Sequence, residues 1–228
     1  MRFEDLNWMD VESYLRQDDR IILITGATEQ HGYLSLLSDI STPTKLALAA
    51  AEREKVLIAP PLNFGVSSMF VTFPGTISLS HDVYNLILTE IIQGLLAHGF
   101  AGFFILNGHG GNRLPPQVED IRMDGQARIL WHDWWKSPVL KAFEVEHGLR
   151  LDHANWGDNF RFNRVGPVPE GVKPPVNLGY LEAGQSAREL LGDGSYGGPY
   201  QIDDALMDHL FGQLVDEIAS LLRTLKNH

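Results

Sequence analysis

Short apolar runs alternate along this chain with longer segments in which apolar residues recur every three or four positions. The apolar runs predict four strands, at Arg20–Thr25, 56–58, 103–106 and 127–131. Their continuous Ile, Leu, Val and Phe content is typical of strands that are covered on both faces, as in a parallel sheet. The alternation therefore predicts an α/β fold in which helices cover a mainly parallel central sheet.

The helical period is found in three segments, at 42–54, 81–98 and 203–226. The clearest helix is 81–98, because Ser80 precedes it as an N-cap, Asp82 lies in its first turn and Gly99 follows it. By contrast, the Gly- and Pro-rich tract 166–199 shows little periodicity. Long irregular segments of this kind usually form functional loops or subunit contacts.

Composition limits the classes of protein that need to be considered. A chain of 228 residues with 44% hydrophobic residues can form one sizeable core, so a single domain over 1–228 is expected. Cysteine is absent, which leaves His, Asp and Glu as the strong metal ligands. A net charge of −11 without a basic cluster argues against nucleic acid as a partner. The start lacks an export signal and no apolar run reaches membrane length, so we expect a cytoplasmic protein with no membrane partner.

The first candidate site directly follows the predicted strand Arg20–Thr25, where ligand sites of parallel sheets form. Glu29 and His31 are two residues apart, so on an extended backbone both side chains point to the same side. Asp39 lies eight residues further on and could bridge two cations. The alternative is that Glu29 and Asp39 cap helices or pair with basic residues, but the three residues together favour a metal site.

The second candidate site is the NGHGGN stretch at 107–112, which directly follows the predicted strand 103–106. Glycines on both sides of His109 allow the backbone to approach a ligand closely while the ring projects into the site. A phosphate-binding loop is the rival interpretation, because a helix is expected just beyond this turn. No Lys-Ser/Thr pair follows and the spacing of a dinucleotide-binding loop is absent, so the histidine favours metal.

The third candidate segment, 152–159, contains His153 and Asp158. An imidazole that titrates near neutrality can donate a proton to a nitrogen leaving group, so His153 is a candidate catalytic group. Asp158 is a second candidate catalytic group and is also a candidate metal ligand. The alternative for His153 is a structural role, with its ring bonded to a backbone carbonyl.

These motifs, taken in order, resemble those of the creatininase family. The matching stretches are EQHG at 29–32 with Asp39, PGTISL at 74–79, NGHGGN at 107–112, HANWGD at 153–158 and GSYGGP at 194–199. The resemblance spans most of the chain and implies a three-layer α/β/α sandwich. Three departures stand out: Gly111 replaces a glutamate ligand of creatininase proper, Asp158 replaces a glutamate, and 67–70 replaces a histidine-bearing stretch. The last departure predicts a more apolar contact and a substrate other than creatinine.

The resemblance also implies two divalent ions per chain, Zn or Mn, with Fe as a further option. One ion would be held by Glu29, Asp39 and His109, and the other by His31 and a shared Asp39, with Asp158 as a further ligand. The family implies a homo-oligomer, commonly a hexamer.

The expected activity is hydrolysis of a C–N amide bond in a small molecule by a metal-activated water. Candidate substrates are a cyclic amide, a formamide or a short modified peptide, and the enzyme class is a creatininase-type hydrolase of small or non-peptide C–N bonds. Two alternatives remain open. One is a mononuclear hydrolase in which His31 orients a ligand or water, and the other is a catalytically degenerate member that binds a ligand or acts in assembly.

Overall fold

The computed structural model describes residues 1–180 and 185–226. Within these ranges the helices and strands follow one another in the order α1 Trp8–Leu15, β1 Arg20–Thr25, α2 Ser38–Glu54, β2 Leu57–Ile58, α3 His81–Ala97, β3 Gly102–Asn107, α4 Pro116–Met123, β4 Arg128–Asp133, α5 Pro138–His147, β5 Val172–Lys173, α6 Ala187–Leu191, β6 Gly198–Pro199 and α7 Asp204–Thr224. Short 3-10 turns lie between several of them. No helix in the described part of the chain combines the length and the apolar character needed to cross a membrane.

The central sheet contains the four predicted strands, in the order β2-β1-β3-β4, and all of its pairings are parallel. Strands β1 and β3 are buried at every position. They are paired over their whole length, from Arg20 opposite Gly102 to Thr25 opposite Asn107. Because all strands run in the same direction, the loops that follow β1 and β3 meet at one edge of the sheet.

Alternate side chains of β1 point into two separate cores, which confirms the three-layer arrangement. Ile22 and Ile24 pack with residues of α2, α5 and α7 on one face. Ile21 and Leu23 pack with residues of α1, α3 and α4 on the other face. Since both faces are covered by helices, the continuous apolar character of the strand is explained.

Helix α2 begins four residues earlier than predicted, so Asp39 lies in its first turn. Pro43 lies inside this helix and has no N–H, so it cannot bond the carbonyl of Asp39 four residues before it. Two glycines pack against that carbonyl oxygen instead. A Cβ atom would lie 2.3 Å from it at Gly26 and 1.9 Å from it at Gly108. The ends of β1 and β3 therefore approach the first turn of α2 more closely than any side chain would allow.

The remaining predictions agree with two helices and miss three others. Helices α3 and α7 lie within the predicted 81–98 and 203–226, whereas α1, α5 and α6 were not predicted. Helix α5 nevertheless carries sequence signals, since Ser137 caps its N-terminus, Pro138 is its first residue and Gly148 follows it with φ of 62°. The irregular tract 166–199 contains β5, α6 and β6, and its residues 181–184 lie outside the described part.

Candidate metal centre

Four predicted metal ligands meet at the carboxyl edge of the sheet. The loop after β1 carries Glu29 and His31, the first turn of α2 carries Asp39, and the turn after β3 carries His109. All four residues are buried, with exposed fractions between 2% and 7%. Charged groups are seldom buried this deeply unless they are paired or hold a cation.

The Asp39 carboxylate lies between two imidazole rings. Its Oδ1 atom is 3.0 Å from Nε2 of His31, and its Oδ2 atom is 2.7 Å from Nδ1 of His109. The same Nδ1 atom of His109 lies 3.4 Å from Oε1 of Glu29. The Asp39 carboxylate thus contacts both rings, whereas its role as a bridge between two ions stays a prediction.

Backbone carbonyls hold the far nitrogen of each ring. Nε2 of His109 lies 2.8 Å from the Val66 carbonyl oxygen, and Nδ1 of His31 lies 3.3 Å from the Glu29 carbonyl oxygen. When these nitrogens donate to the carbonyls, the remaining lone pair of each ring faces a carboxylate. A lone pair and a carboxylate repel each other unless a cation lies between them, so the arrangement is suited to a proton or a metal ion.

The electrostatics of the cluster favour positive charge. Burial opposes a charge on His31, but the Asp39 carboxylate outweighs it and raises the pKa of His31 to about 10. His109 is buried in the same way, and its contacts with Asp39 and Glu29 raise its pKa well above the usual value. Burial alone would raise the pKa of Asp39, but the two rings hold it below its usual range. The potential that favours protons here also favours a divalent metal.

Glu29 provides the most direct test of whether the site fits a metal. Its Oε2 atom is buried and has no hydrogen-bond donor among the described residues. A buried carboxylate oxygen without a donor is costly, by several kcal/mol for a charged group. A metal ion supplies the missing partner, so the residues present fit a divalent cation.

Two groups of three residues bring ligand atoms within 4.8 Å of one another in the described part of the chain. One group is Glu29, Asp39 and His109, which is the set predicted for the first metal. The other is Glu29, His31 and His153. The second group differs from the prediction because Glu29 takes part in both sets and His153 joins as a possible ligand.

His153 lies between the backbone and an aromatic ring. Its Nε2 atom is 3.0 Å from the carbonyl oxygen and 2.8 Å from the side-chain nitrogen of Gln30, and its ring stacks on Phe70 at 4.6 Å between centroids. Burial, together with repulsion from His31, lowers the pKa of His153 well below the usual value. The ring is therefore neutral near pH 7, as a metal ligand or a proton acceptor must be.

Asp158 is buried beside the cluster. One of its oxygens accepts a hydrogen bond of 2.8 Å from the backbone N–H of Ala154. Burial raises its pKa to about 6, although the nearby His31 opposes this shift. Its oxygens belong to neither of the two ligand groups formed by the described residues. Ligation by Asp158 therefore stays a prediction, whereas its raised pKa suits a group that exchanges protons.

Two cavities adjoin the cluster. The larger, about 640 Å³, is lined by Glu29 and His109, and the smaller, about 230 Å³, is lined by His31, Asp39 and Asp158. His153 and Gly110 line both cavities. The volume of the larger cavity is typical of sites for small molecules.

The Gly111 position has no room for a side chain, and so none for the glutamate that the family resemblance implies there. A Cβ atom at Gly111 would lie 1.9 Å from the Val66 carbonyl oxygen and 2.5 Å from Nε2 of His109. The carbonyl that orients the His109 ring therefore occupies the space that a side chain would need. The lack of a side chain at Gly111 thus allows the Val66 backbone to lie close to the His109 ring.

Three contributors to the site were not predicted from the sequence. The side chain of Gln30 links His153 to the carbonyl of Gly194, which lies in the late glycine motif. The sequence did offer a signal for Gln30, because this residue belongs to the EQHG stretch. The Val66 carbonyl gives no such signal, because it is a backbone atom. Phe70 was recognised only as a departure from the family pattern, and in the structure it covers His153.

Comparisons with known proteins identify the family of this chain. The chain matches the creatininase family, described as creatinine amidohydrolase, over residues 4–222. The creatinine amidohydrolase of Pseudomonas putida is 31% identical over 205 residues, which cover 76% of this chain and 79% of that protein. A mycofactocin precursor peptide peptidase of Mycobacterium ulcerans is 32% identical over 118 residues, 46% of this chain and 47% of that protein. A solved structure of creatininase with Mn has a TM-score of 0.82 at 21% identity and covers 98% of this chain and 97% of its own.

Proposed function

Because this chain belongs to the creatininase family, we propose that it is a metal-dependent amidohydrolase that cleaves a C–N amide bond in a small molecule. The substrate would be a cyclic amide, a formamide or a short modified peptide. The observation that carries the proposal is the buried cluster in which Asp39 lies between His31 and His109 while Oε2 of Glu29 has no donor among the described residues. Such a cluster is costly to the fold unless it holds cations.

The two ligand groups support a site for two Zn or Mn ions. One ion would be held by Glu29, Asp39 and His109. The other would be held by His31 and His153 together with the carboxylate of Glu29, which takes part in both groups. When bound, such an ion lowers the pKa of a coordinated water from about 16 toward about 7 and polarises an amide carbonyl.

The protein's own groups have separate tasks in this proposal. The carbonyls of Val66 and Glu29 hold the rings of His109 and His31 so that one nitrogen of each faces the carboxylates. Phe70 covers one face of His153 and excludes water from it.

Of the two proposed proton-transfer groups, Asp158 has the more suitable pKa. In the metal-free protein burial raises the pKa of Asp158 to about 6, and a buried carboxyl group of this kind can accept a proton from a water and donate it to a leaving nitrogen. His153 is neutral near pH 7 because burial and His31 lower its pKa. His153 would therefore have to take up a proton before it could protonate a leaving group.

The test combines metal analysis with a substrate screen. Purified protein loaded with Zn or Mn is assayed against creatinine, lactams, formamides and short peptides. The His109→Ala variant is expected to lose both metal retention and hydrolysis. The matched control is His147→Ala, because His147 lies on α5 and contacts Phe143 instead of the cluster. Full activity of His109→Ala, or equal losses in both variants, would contradict the assignment.

A mononuclear hydrolase is the second candidate function. It is favoured by the close packing at Gly111, which leaves no room for a further carboxylate ligand there. In that case His31 would orient a ligand or water without binding metal. The number of ions per chain separates the candidates, and His31→Ala should lose one of two ions only if two sites exist. Fewer than one ion per chain after loading would favour a non-catalytic binding protein.

A further inference from the structure

The wall of the larger cavity carries one permanent cation. Arg113 and His81 line this cavity, and so do Glu29 and His109 of the metal cluster. Glu29 is the only carboxylate among the described residues that line it. Once metal neutralises Glu29, the remaining fixed charge of the cavity wall is positive.

Arg113 differs from most arginines of this acidic chain. Arg20, Arg122, Arg128 and most of the others have a carboxylate within 4.0 Å, but Arg113 has none among residues 1–180 and 185–226. Its Nη1 atom instead donates to the carbonyl oxygens of Gly110, at 2.5 Å, and Asn112, at 2.6 Å. The guanidinium is therefore held against the His109 turn, while its Nε and Nη2 donors have no partner in the described part of the chain.

The backbone beside Arg113 offers further donors. The N–H groups of Gly110 and Gly111 bond to no atom of the described residues. Donors of this kind, next to a guanidinium, are suited to a carboxylate or another planar oxyanion.

The smaller cavity has the opposite character. Asp152 and Asp158 line it beside the metal ligand Asp39, together with Trp134 and Trp135, so its lining stays acidic when metal neutralises Asp39. An anionic group would be repelled there, whereas the amine that amide hydrolysis releases would be tolerated. The two cavities that adjoin the cluster therefore differ in the charge of their lining.

We propose that the substrate carries a carboxylate, which Arg113 binds in the larger cavity while the amide to be cleaved lies at the metal cluster. This inference rests on the proposed function, because it assumes a metal-dependent reaction centre at Glu29 and His109. Arg113 is then a specificity-determining residue. It selects anionic amides and orients them across the cluster.

The test measures binding with two probes that chelate metal and differ at one end only. Butanohydroxamate ends in a methyl group, and the monohydroxamate of succinic acid ends in a carboxylate. Dissociation constants are measured by isothermal titration calorimetry on Mn-loaded protein at low salt, with the metal content of every variant determined. The wild type should bind the carboxylate probe roughly fivefold to tenfold more tightly than the methyl probe.

The variants separate charge recognition from structural support. Arg113→Gln should lose the preference while keeping its metal and its affinity for the methyl probe, and Arg113→Lys should keep part of the preference. Arg122→Gln is the matched control, since Arg122 pairs with Glu119 on α4 and does not line the cavity. Added salt should narrow the preference of the wild type, because it screens the charges.

Several results would overturn the inference. Equal affinity of the wild type for both probes, or an unchanged preference in Arg113→Gln, would show that Arg113 does not bind the carboxylate. Equal losses for both probes in Arg113→Gln would show that Arg113 only supports the His109 turn. If the methyl probe binds and the carboxylate probe shows no advantage, the metal centre stands and this inference fails. If neither probe binds, both fail.

Discussion

The two ends of strand β1 carry buried charged groups, and only at one end do the described residues supply all of their hydrogen-bond partners. At the amino end, Arg20 is only 2% exposed, and its guanidinium donates to both oxygens of Asp18 and to the carbonyls of Glu54 and Leu222. At the carboxyl end, four residues beyond the strand, Oε2 of Glu29 is buried without a donor in the described part of the chain.

The difference indicates which end is structural and which is functional. Burial opposes ionisation of Asp18, but hydrogen bonds and charge from Arg20 hold its pKa below its usual value, so that pair is complete within the protein. At the other end, Glu29 and Asp39 face rings whose lone pairs need a cation. A buried ion pair in which every guanidinium nitrogen donates supports the fold, whereas an incomplete cluster at a cavity is typical of a site that binds a ligand.

The largest effect is expected from Asp39→Asn at the carboxyl end. Four-ligand zinc sites bind with about 10–16 kcal/mol, so the loss of a ligand shared by two ions should weaken metal binding on the order of 1,000-fold. Hydrolysis should be lost with it. Competition with a chelator measures the affinity. Retention of wild-type metal affinity would show that the Asp39 carboxylate is not a ligand.

The stability of metal-free protein should depend on pH through the same cluster. Because Asp39 raises the pKa of buried His31 to about 10, whereas an unfolded chain titrates near 6.5, the protonated ring stabilises the fold fully below about pH 6.5. This contribution is lost as the pH rises from about 6.5 to about 10. We expect the free energy of unfolding to fall by a few kcal/mol over that window.

Urea titrations of EDTA-treated protein at a series of pH values measure this effect. His31→Gln should remove much of the decline, and metal-loaded protein should show little of it, because metal then takes the place of the proton. A constant free energy of unfolding in the metal-free wild type would contradict the electrostatic description of the cluster.

At the amino end of the strand, Asp18→Asn should affect stability alone. The variant leaves the buried Arg20 charge without its carboxylate, which should cost about 3 kcal/mol of unfolding free energy. Metal affinity should not change, because Asp18 lies at the opposite edge of the sheet. Denaturant unfolding and chelator competition on the same samples test both parts. A loss of metal affinity would show that the two ends are coupled.

A smaller effect is expected where the strand ends contact α2. In Gly108→Ala the new Cβ would lie 1.9 Å from the Asp39 carbonyl oxygen and 2.8 Å from Pro43 Cγ, so the first turn of α2 must move. We expect a loss of about 2 kcal/mol in stability and a measurable fall in metal affinity. Gly94→Ala within α3 is the control, since its Cβ would meet nothing within 4 Å. Equal stability and equal metal affinity of the two variants would show that the position of Asp39 does not depend on this packing.

The amino-acid sequence by itself determined the central strands and the positions of the candidate ligands. The four strands were recognisable because burial on both faces requires continuous apolar residues, which is a local property. Helix α3 was recognisable for a similar reason, since its cap and apolar stripe are local. The start of α2 was predicted four residues too late; the helix begins at Ser38, and its first turn packs against Gly26 and Gly108, which lie far from it in sequence or in another loop.

Only the tertiary structure decided how those ligands are grouped. That Glu29 takes part in both groups, that His153 joins one of them and that the Val66 carbonyl holds His109 all depend on contacts between segments far apart in sequence. The charge difference between the two cavities also depends on such contacts, since Arg113 lines one cavity and Asp152 lines the other. Local patterns specify which residues follow a strand, but distances and the directions of lone pairs are set by the packing of the whole chain.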